Sequence, residues 1–580
     1  MMLLEEPGAL MASPEPVAAD PTRRERVVVA VVAVAVVGIY VAIAASHGAL
    51  GASRNDDWAY IRIVKDLADT GEFRLDGWVA AMFLGQALVS LPVMALFGQG
   101  ILPLQMMVAV FAAVGLWATY AVVRPWLDRR WTALSVACLA AGPVYGIVAV
   151  SYMTDVPSYA LQMITLLVGI RAMRSAPVHL GWLAGALGFG IASFSMREFG
   201  VASGAVVAVY AVAQAWAGRQ RLRPVLALVG AWSVGVMALY FWRSNLPNTW
   251  PMVVDVSPGG LGSAANSIWR SALTIGLLAS PVAFAVSPVR LLRAMGQRLT
   301  RRAQVVLLLL ATTALATIPF HGLGLIGNHA DRELAYWGTL PGDPPSLLPT
   351  PVWVVVLLVA LYSTAVSVGL VALRVEAVLR RRRSWRSGLA STADRGAHLV
   401  VSFVVLYAAL LVATVVITPT ELFDRYLLVL VPLSAALLAR AGQAEQLMRS
   451  LPGRREWAAL LALATLGVAA IDASAAFDGA KWRLGEVVEA RTGWDPGSID
   501  AGYEWYGYHQ TAPVERQGFL TAPNFWRLLF APRPVCATGS FAPSDQSAVP
   551  ADDVIATVVE RSLFGVEVRL VATAGPDDCP

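Results

Sequence analysis

The chain has 580 residues, of which 57% are hydrophobic and only 14% are charged, and its mean hydropathy is +0.61. Soluble proteins carry about 25% charged residues, so this composition excludes a soluble globular protein. Three cysteines are too few for a disulfide scaffold. The net charge of +5 comes from arginines that lie mainly in short loops between apolar runs. Such residues orient membrane helices, so no nucleic-acid partner is expected.

Apolar runs of the length needed to cross about 30 Å of hydrocarbon follow one another along most of the chain. Residues 1–22 show no periodicity and are predicted to be a disordered cytoplasmic N-terminus. The first run, 27–46, is too long for the core of a cleaved signal peptide. We predict an all-α polytopic membrane protein with about 13 spans. The later spans are expected at 101–123, 131–149, 157–173, 180–194, 200–216, 224–242, 267–287, 303–320, 351–373, 397–417, 426–440 and 456–471.

Lysine and arginine indicate the orientation, because positive charge stays on the cytoplasmic side. The N-terminus and every second connection together hold 27 of the 44 basic residues. The opposite connections hold far fewer. We therefore expect a protein of the plasma (inner) membrane with a cytoplasmic N-terminus. The predicted domains are a transmembrane domain at 23–471 and a small mixed α/β extracytoplasmic C-terminal domain at 472–580.

The first outer loop is the richest in charge. Asp56 and Asp57 precede an amphipathic stretch that should lie in the membrane interface and end at Gly71. A second apolar stretch, 79–97, is broken by polar residues and proline and is interpreted as another interfacial or re-entrant helix. Adjacent carboxylates repel each other, so one of them is expected to have a raised pKa suited to accepting a proton. The alternative is that Asp56 only caps the helix.

Three further outer segments carry charged residues beside apolar runs. They read Tyr-Met-Thr-Asp-Val-Pro at 152–157, Ser-Met-Arg-Glu-Phe-Gly at 195–200 and Phe-Asp-Arg-Tyr-Leu-Leu at 423–428. Asp155 also fits a helix cap, and Arg197 with Glu198 also fits an interfacial ion pair.

Together these motifs resemble the GT-C membrane glycosyltransferases, in particular the protein-mannosyltransferase and ArnT-like branch (glycosyltransferase family 39). The resemblance rests on an acidic pair after span one, Thr-Asp-x-Pro after span three, an arginine turn after span five and Arg-Tyr-Leu-Leu-x-x-x-Pro late in the chain. It implies inverting transfer of a sugar from a polyprenyl-phosphate carrier to an acceptor hydroxyl on the outer face. By position it makes Asp56 the general base and Asp57 its acidic neighbour. Relatives often have Asp-Glu where this chain has Asp-Asp.

Such a transfer requires a base on one side of the sugar and cations for the departing phosphate on the other. Arg197, Arg332 and Arg425 are the predicted lipid-phosphate ligands, because guanidinium binds phosphate oxygens in a bidentate manner; the alternative is that they anchor the chain at the interface. Asp155 is the third catalytic candidate, either orienting an arginine or binding a sugar hydroxyl. Two aspartates leave an octahedral shell incomplete, so no cofactor is assigned and a divalent cation stays open.

The tail after 471 contains an aromatic cluster at 502–509 and two predicted strands, 554–559 and 566–572. Trp505 and Tyr506 are the candidates for binding the acceptor, with core packing as the alternative. Cys536 and Cys579 both lie in this tail, outside the reducing cytosol, and are candidates for a disulfide.

The rival function is a polytopic transporter or a flippase for cell-envelope precursors. Transporters usually place ionisable residues near the middle of their spans, in corresponding positions of two halves. The acidic residues here cluster in outer loops instead, and no half-repeat is visible. The partners expected for the enzyme are a polyprenyl-phosphate-linked sugar donor, membrane lipids, and an envelope glycan, lipid or protein as acceptor.

Overall fold

The structure is a computed structural model. It describes residues 21–174, 177–218, 221–249, 257–309, 312, 324–327, 329, 340–380, 392–417, 422–512, 514, 525–530, 533–542, 553–575 and 579. Most of the predicted span at 303–320 therefore lies outside the described residues.

A bundle of apolar helices forms the membrane part of the chain, as predicted from the composition. Within the described ranges, seven helices are long and apolar enough to cross a membrane, and an eighth if α5 and α6, bent by 66°, count as one span. The multi-pass helical fold is confirmed, whereas the count of about 13 spans is not. Several predicted spans form shorter helices, such as the 17-residue α8. The helices up to the tenth are α1 (Arg23–Ser46), α2 (Asp57–Thr70), α3 (Leu84–Phe97), α4 (Ile101–Val123), α5 (Arg129–Ala140), α6 (Pro143–Ala149), α7 (Asp155–Ala172), α8 (Leu180–Met196), α9 (Val201–Gly218) and α10 (Leu222–Ser244).

The later helices complete the bundle and continue into the tail. The helices α4, α7, α8 and α9 pack against one another in the centre, where side chains such as Tyr159 and Met163 are fully buried. These later helices are α11 (Pro258–Leu278), α12 (Ser280–Ala283), α13 (Pro288–Arg298), α14 (Thr350–Arg380), α15 (Thr392–Ile417), α16 (Leu430–Ala444), α17 (Arg454–Thr492) and α18 (Tyr503–His509).

The first outer loop folds into two helices that lie over the bundle. Trp58, Ile61 and Val64 on the apolar face of α2 are at most 1% exposed, and Gly71 ends the helix with a left-handed φ of 75°. Both features were predicted from the sequence. The following helix, α3, begins at Leu84 rather than near residue 79, and it packs against α8.

Helix α17 joins the bundle to the C-terminal part without a break over 39 residues. The predicted domain boundary at 471/472 therefore falls inside a helix. Gly479 lets α17 approach the end of α1 closely, since a Cβ there would lie 1.9 Å from the carbonyl oxygen of His47. The His47 ring also connects the two parts, with Nε2 at 2.8 Å from Asp472 Oδ1 and Nδ1 at 2.9 Å from Glu560 Oε1.

The described residues of the C-terminal part form a four-stranded sheet with the order β1-β2-β4-β3. β1 pairs in parallel with β2, and β4 pairs with both β2 and β3 in antiparallel fashion. The two strands predicted at 554–559 and 566–572 correspond to β3 and β4. A disulfide joins Cys536 to Cys579, and Cys138 is buried in the bundle. The strands are β1 (Ile499–Asp500), β2 (Ala537–Phe541), β3 (Val554–Arg561) and β4 (Glu567–Ala574).

Candidate active site

The two adjacent aspartates of the first outer loop point in different directions. Asn55 precedes them with a left-handed φ of 53°, a conformation that asparagine tolerates. Asp57 is fully buried, and its carboxylate accepts hydrogen bonds from the backbone N–H of Arg54 (2.6 Å) and of Tyr152 (3.1 Å) and from the Ser53 hydroxyl. Asp57 thus ties the start of α2 to the segment before α7.

Asp56 occupies the N-cap position of α2, yet its side chain makes no capping hydrogen bond. Instead, Oδ2 accepts a 3.0 Å hydrogen bond from Arg425 Nη2, and Oδ1 accepts one of 3.0 Å from Trp78 Nε1. The side chain keeps 22% of its surface exposed, so a substrate hydroxyl can approach it. Burial raises the pKa of Asp57 to about 8. The carboxylate with the raised pKa is therefore Asp57, which is fully buried and cannot contact a substrate.

Asp155 lies between two arginines. Arg197 Nη1 donates to Thr154 Oγ1 at 2.7 Å and to Asp155 Oδ2 at 3.3 Å. Arg425 Nε is 3.8 Å from the same Asp155 oxygen. The capping alternative for Asp155 is wrong, because Thr154 occupies the N-cap position of α7 and the Asp155 carboxylate contacts the two arginines instead. The structure thus brings together Asp56, Asp155, Arg197 and Arg425, which we call the charged cluster.

Aromatic rings hold both guanidinium groups in place. The Arg197 Cζ lies 4.5 Å from the centre of the Tyr426 ring, and the Arg425 Cζ lies 4.5 Å from that of Phe423. Burial is the largest single effect on the pKa of Arg197 and lowers it, but Asp155 and the other nearby acidic groups together outweigh it, so the net pKa lies above the usual value. Both arginines therefore remain charged.

The charged cluster contains hydrogen-bonding atoms that the described residues do not satisfy. Arg197 Nε, Arg425 Nε and Asp155 Oδ1 are buried and have no hydrogen-bond partner there. Buried donors of this kind are costly to leave unpaired. Two guanidinium groups around one carboxylate, each with an Nε donor that makes no hydrogen bond, suit an anion with several acceptor oxygens, such as a phosphate.

The third predicted arginine, Arg332, lies outside the described residues. Its loop contributes His329, whose Nδ1 is 3.0 Å from Asp424 Oδ1 and whose backbone N–H donates to Asp424 Oδ2 at 2.5 Å. His329 is fully buried, and its Nε2 has no partner in the described part of the chain. Asp424 precedes Arg425 in a 3₁₀ turn, Asp424–Leu427, so this pair fixes the loop against the turn that carries the cluster arginine.

The aromatic residues predicted to bind the acceptor are buried. Trp505 is 2% and Tyr506 is 1% exposed, and they pack against Trp482 and Phe530 respectively. This is the core packing that the sequence left as the alternative. Tyr503, in the same aromatic segment, is the residue that lies beside the cluster. Burial raises the pKa of its hydroxyl, and the charges of Glu504, Asp56 and Arg425 also act on it.

Sequence reasoning therefore missed Trp78 and Tyr503 as residues beside Asp56, and it gave His329 no role. The tryptophan stands alone in a loop without periodicity, so no sequence signal distinguished it. Among the described residues, no group of three or more His, Cys, Asp or Glu side chains is arranged to hold a metal ion.

Comparisons with known proteins agree with the motif resemblance over part of the chain. The family model "Dolichyl-phosphate-mannose-protein mannosyltransferase" matches residues 84–242. No curated protein matches the chain significantly. The predicted resemblance to this branch of membrane glycosyltransferases is confirmed in the matched segment, which contains Asp155 and Arg197 but neither Asp56 nor Arg425.

Two solved structures are similar over nearly the whole length at low identity. ArnT from Cupriavidus metallidurans bound to undecaprenyl phosphate is 14% identical with a TM-score of 0.39, over 96% of this chain and 100% of that one. The apo state of the same ArnT is 15% identical with a TM-score of 0.38, over 93% of this chain and 99% of that one.

Proposed function

We propose that this chain is a membrane glycosyltransferase that transfers a sugar from a polyprenyl-phosphate carrier to an acceptor hydroxyl, with inversion at the anomeric carbon. The observation that carries the proposal is the Asp56–Arg425–Asp155–Arg197 cluster, in which a partly exposed carboxylate lies beside two buried guanidinium groups with unpaired N–H donors. The match to the family model of dolichyl-phosphate-mannose-protein mannosyltransferases supports this donor class.

In the proposed reaction the acceptor oxygen attacks the anomeric carbon while Asp56 takes the hydroxyl proton. A new glycosidic C–O bond forms, and the C–O bond to the carrier phosphate breaks with its electron pair leaving on the phosphate. Arg197 and Arg425 offset the negative charge that develops there, which is the main way such sites lower a barrier. Asp155 holds both arginines in position, and Asp57 acts only through the fold of the loop.

We also propose that the site faces the outer side of the plasma membrane. The support is the distribution of arginine, since the N-terminus and the alternate connections that carry most of it lie opposite the loops of the charged cluster.

The test compares lipid-linked sugars in cells with and without the chain, followed by transfer in proteoliposomes. Cells lacking the chain should accumulate one polyprenyl-phosphate sugar, and the purified wild-type protein should consume it. The purified Asp56→Asn variant should not consume it. Consumption of the donor by Asp56→Asn at the wild-type rate would exclude Asp56 as the base, and accumulation of no lipid-linked sugar would contradict the donor class.

A further inference from the structure

Two half-buried aromatic rings, Trp78 and Tyr503, stand side by side next to Asp56. Their centroids are 6.4 Å apart with 44° between the ring planes. Trp78 comes from the first outer loop and Tyr503 from the first residue of α18, more than 400 residues later. We call this pair the aromatic wall.

A second layer of rings supports the wall from behind. Trp58 lies 6.0 Å from Trp78, and Trp526 lies 6.2 Å from Tyr503. Both supporting rings are 1% exposed, and Phe530 packs against Trp58 at 5.8 Å. The front rings are therefore held by a packed aromatic core, and neither ring is fully buried.

Close packing between the first loop and α18 fixes the spacing of the wall. A Cβ at Gly507 would lie 2.6 Å from the Trp58 ring, so only glycine allows this approach. Arg62 on α2 donates to the carbonyl oxygens of Gly507 (3.1 Å) and Ala512 (2.6 Å). Rigid rings lose little conformational entropy when a ligand stacks on them.

Trp78 of the aromatic wall and Arg425 contact different oxygens of the base. Trp78 donates to Asp56 Oδ1, whereas Arg425 donates to Asp56 Oδ2. The base must contact the acceptor hydroxyl, and the guanidinium side is occupied by the donor phosphate in the proposed reaction. The acceptor hydroxyl is therefore expected to approach Asp56 beside Trp78.

We propose that the aromatic wall binds the acceptor and that the acceptor is a saccharide, so that the transferred sugar extends a glycan. The apolar C–H face of a sugar ring stacks on the electron-rich face of Trp and Tyr, and its hydroxyl then reaches Asp56. This inference rests on the proposed function, because it uses Asp56 as the base. A serine or threonine side chain of a protein acceptor offers no such ring face.

The test measures binding of methyl α-mannopyranoside and of a methyl arabinofuranoside to the full-length protein in nanodiscs by saturation-transfer NMR. A serine- and threonine-containing peptide serves as the non-sugar ligand. Ring C–H protons of at least one glycoside should receive saturation from the wild-type protein. Tyr503→Phe should preserve the signal, whereas Tyr503→Leu, which keeps an apolar side chain but removes the ring, should reduce it about 3- to 10-fold. Trp457→Ala, a 40% exposed tryptophan on α17, is the matched control and should change nothing.

Trp78→Phe separates stacking from orientation of the base. It keeps a ring but removes the N–H that holds Asp56, so glycoside binding should persist while kcat falls. Equal glycoside signals from wild type and Tyr503→Leu, or saturation of the peptide instead of the glycosides, would overturn the wall as an acceptor site. Because Asp56→Asn should retain glycoside binding, a failure of the catalytic proposal would appear in the transfer assay and not here.

Discussion

Replacing either aspartate of the first loop by asparagine should give opposite effects on stability and turnover. Asp57 accepts two backbone N–H bonds, one on each oxygen. Asparagine keeps only one acceptor oxygen, so at least one buried N–H must lose its partner, which costs about 1–3 kcal/mol of unfolding free energy. Turnover per folded molecule should stay within about tenfold of wild type, because Asp57 does not face the charged cluster.

Asp56→Asn should behave in the reverse manner. Asp56 is 22% exposed, so water can replace the hydrogen bond that the amide no longer accepts, and Arg425 keeps its contact with Asp155; the stability loss should therefore be smaller than for Asp57→Asn, about 0.5–1.5 kcal/mol. The loss of the base should lower kcat by at least about 100-fold.

The assay is sugar transfer in proteoliposomes, with the donor lipid that accumulates in cells lacking the chain. Thermal unfolding of the purified variants is measured in parallel. An unstable but active Asp56→Asn together with a stable but inactive Asp57→Asn would mean that the roles of the two carboxylates are reversed. An Asp56→Asn variant with near-normal turnover would refute the general-base assignment itself.

Three other outcomes test the remaining parts of the argument. Arg425→Lys and Arg197→Lys should each weaken binding of a polyprenyl phosphate by about 1.5–3 kcal/mol, since lysine cannot supply the unpaired Nε donor, and should leave binding of the free polyprenol unchanged. Cys536→Ser should lower the stability of the C-terminal part by about 2–5 kcal/mol in thermal melts, and a reductant should reproduce the shift in wild type. A cysteine at exposed Ser346 should react with an impermeant maleimide in intact cells, whereas one at exposed Gln446 should react only after lysis; the reverse pattern would invert the orientation.

The members of the charged cluster were predictable because membrane topology limits where a polar residue can lie. Asp56 and Arg425 are 369 residues apart in sequence, yet both belong to connections assigned to the same side. Charged groups in such connections avoid the hydrocarbon and have only one surface on which to meet. A short motif that indicates little alone therefore becomes a better predictor of a site when several such motifs lie on the same side of the membrane.

The division of labour between Asp56 and Asp57 was not predictable in the same way. It depends on the left-handed conformation of Asn55 and on a backbone N–H from Tyr152, which reaches Asp57 from another segment. Like-charge repulsion predicted a raised pKa for one member of the pair. Burial decides which one, and burial is a property of the tertiary structure.

The aromatic segment of the tail shows the same limit within three positions of the chain. The sequence alone does not distinguish the aromatic residues of this segment. They lie on one short helix, α18, and only some of its positions face the site. Trp505 and Tyr506 point into the core, and Tyr503 lies beside Trp78. Which ring faces Asp56 follows from the docking of α18 on α2, and the sequence gives no signal for that contact.

The change in amino-acid composition at 471/472 does not separate two independent sets of contacts. Asp478 and Lys481 lie after the predicted division at 471/472, yet Asp478 Oδ2 accepts a 2.7 Å hydrogen bond from Arg54 in the first loop. Lys481 contacts Asp478 at 3.3 Å and pairs with Glu504 in α18. A continuous path of buried charges therefore runs from the loop of Asp56 through α17 to the segment of Tyr503. Because buried charges are costly to separate from their partners, the loop and the tail are held together, and the base and the aromatic wall are positioned by the same network.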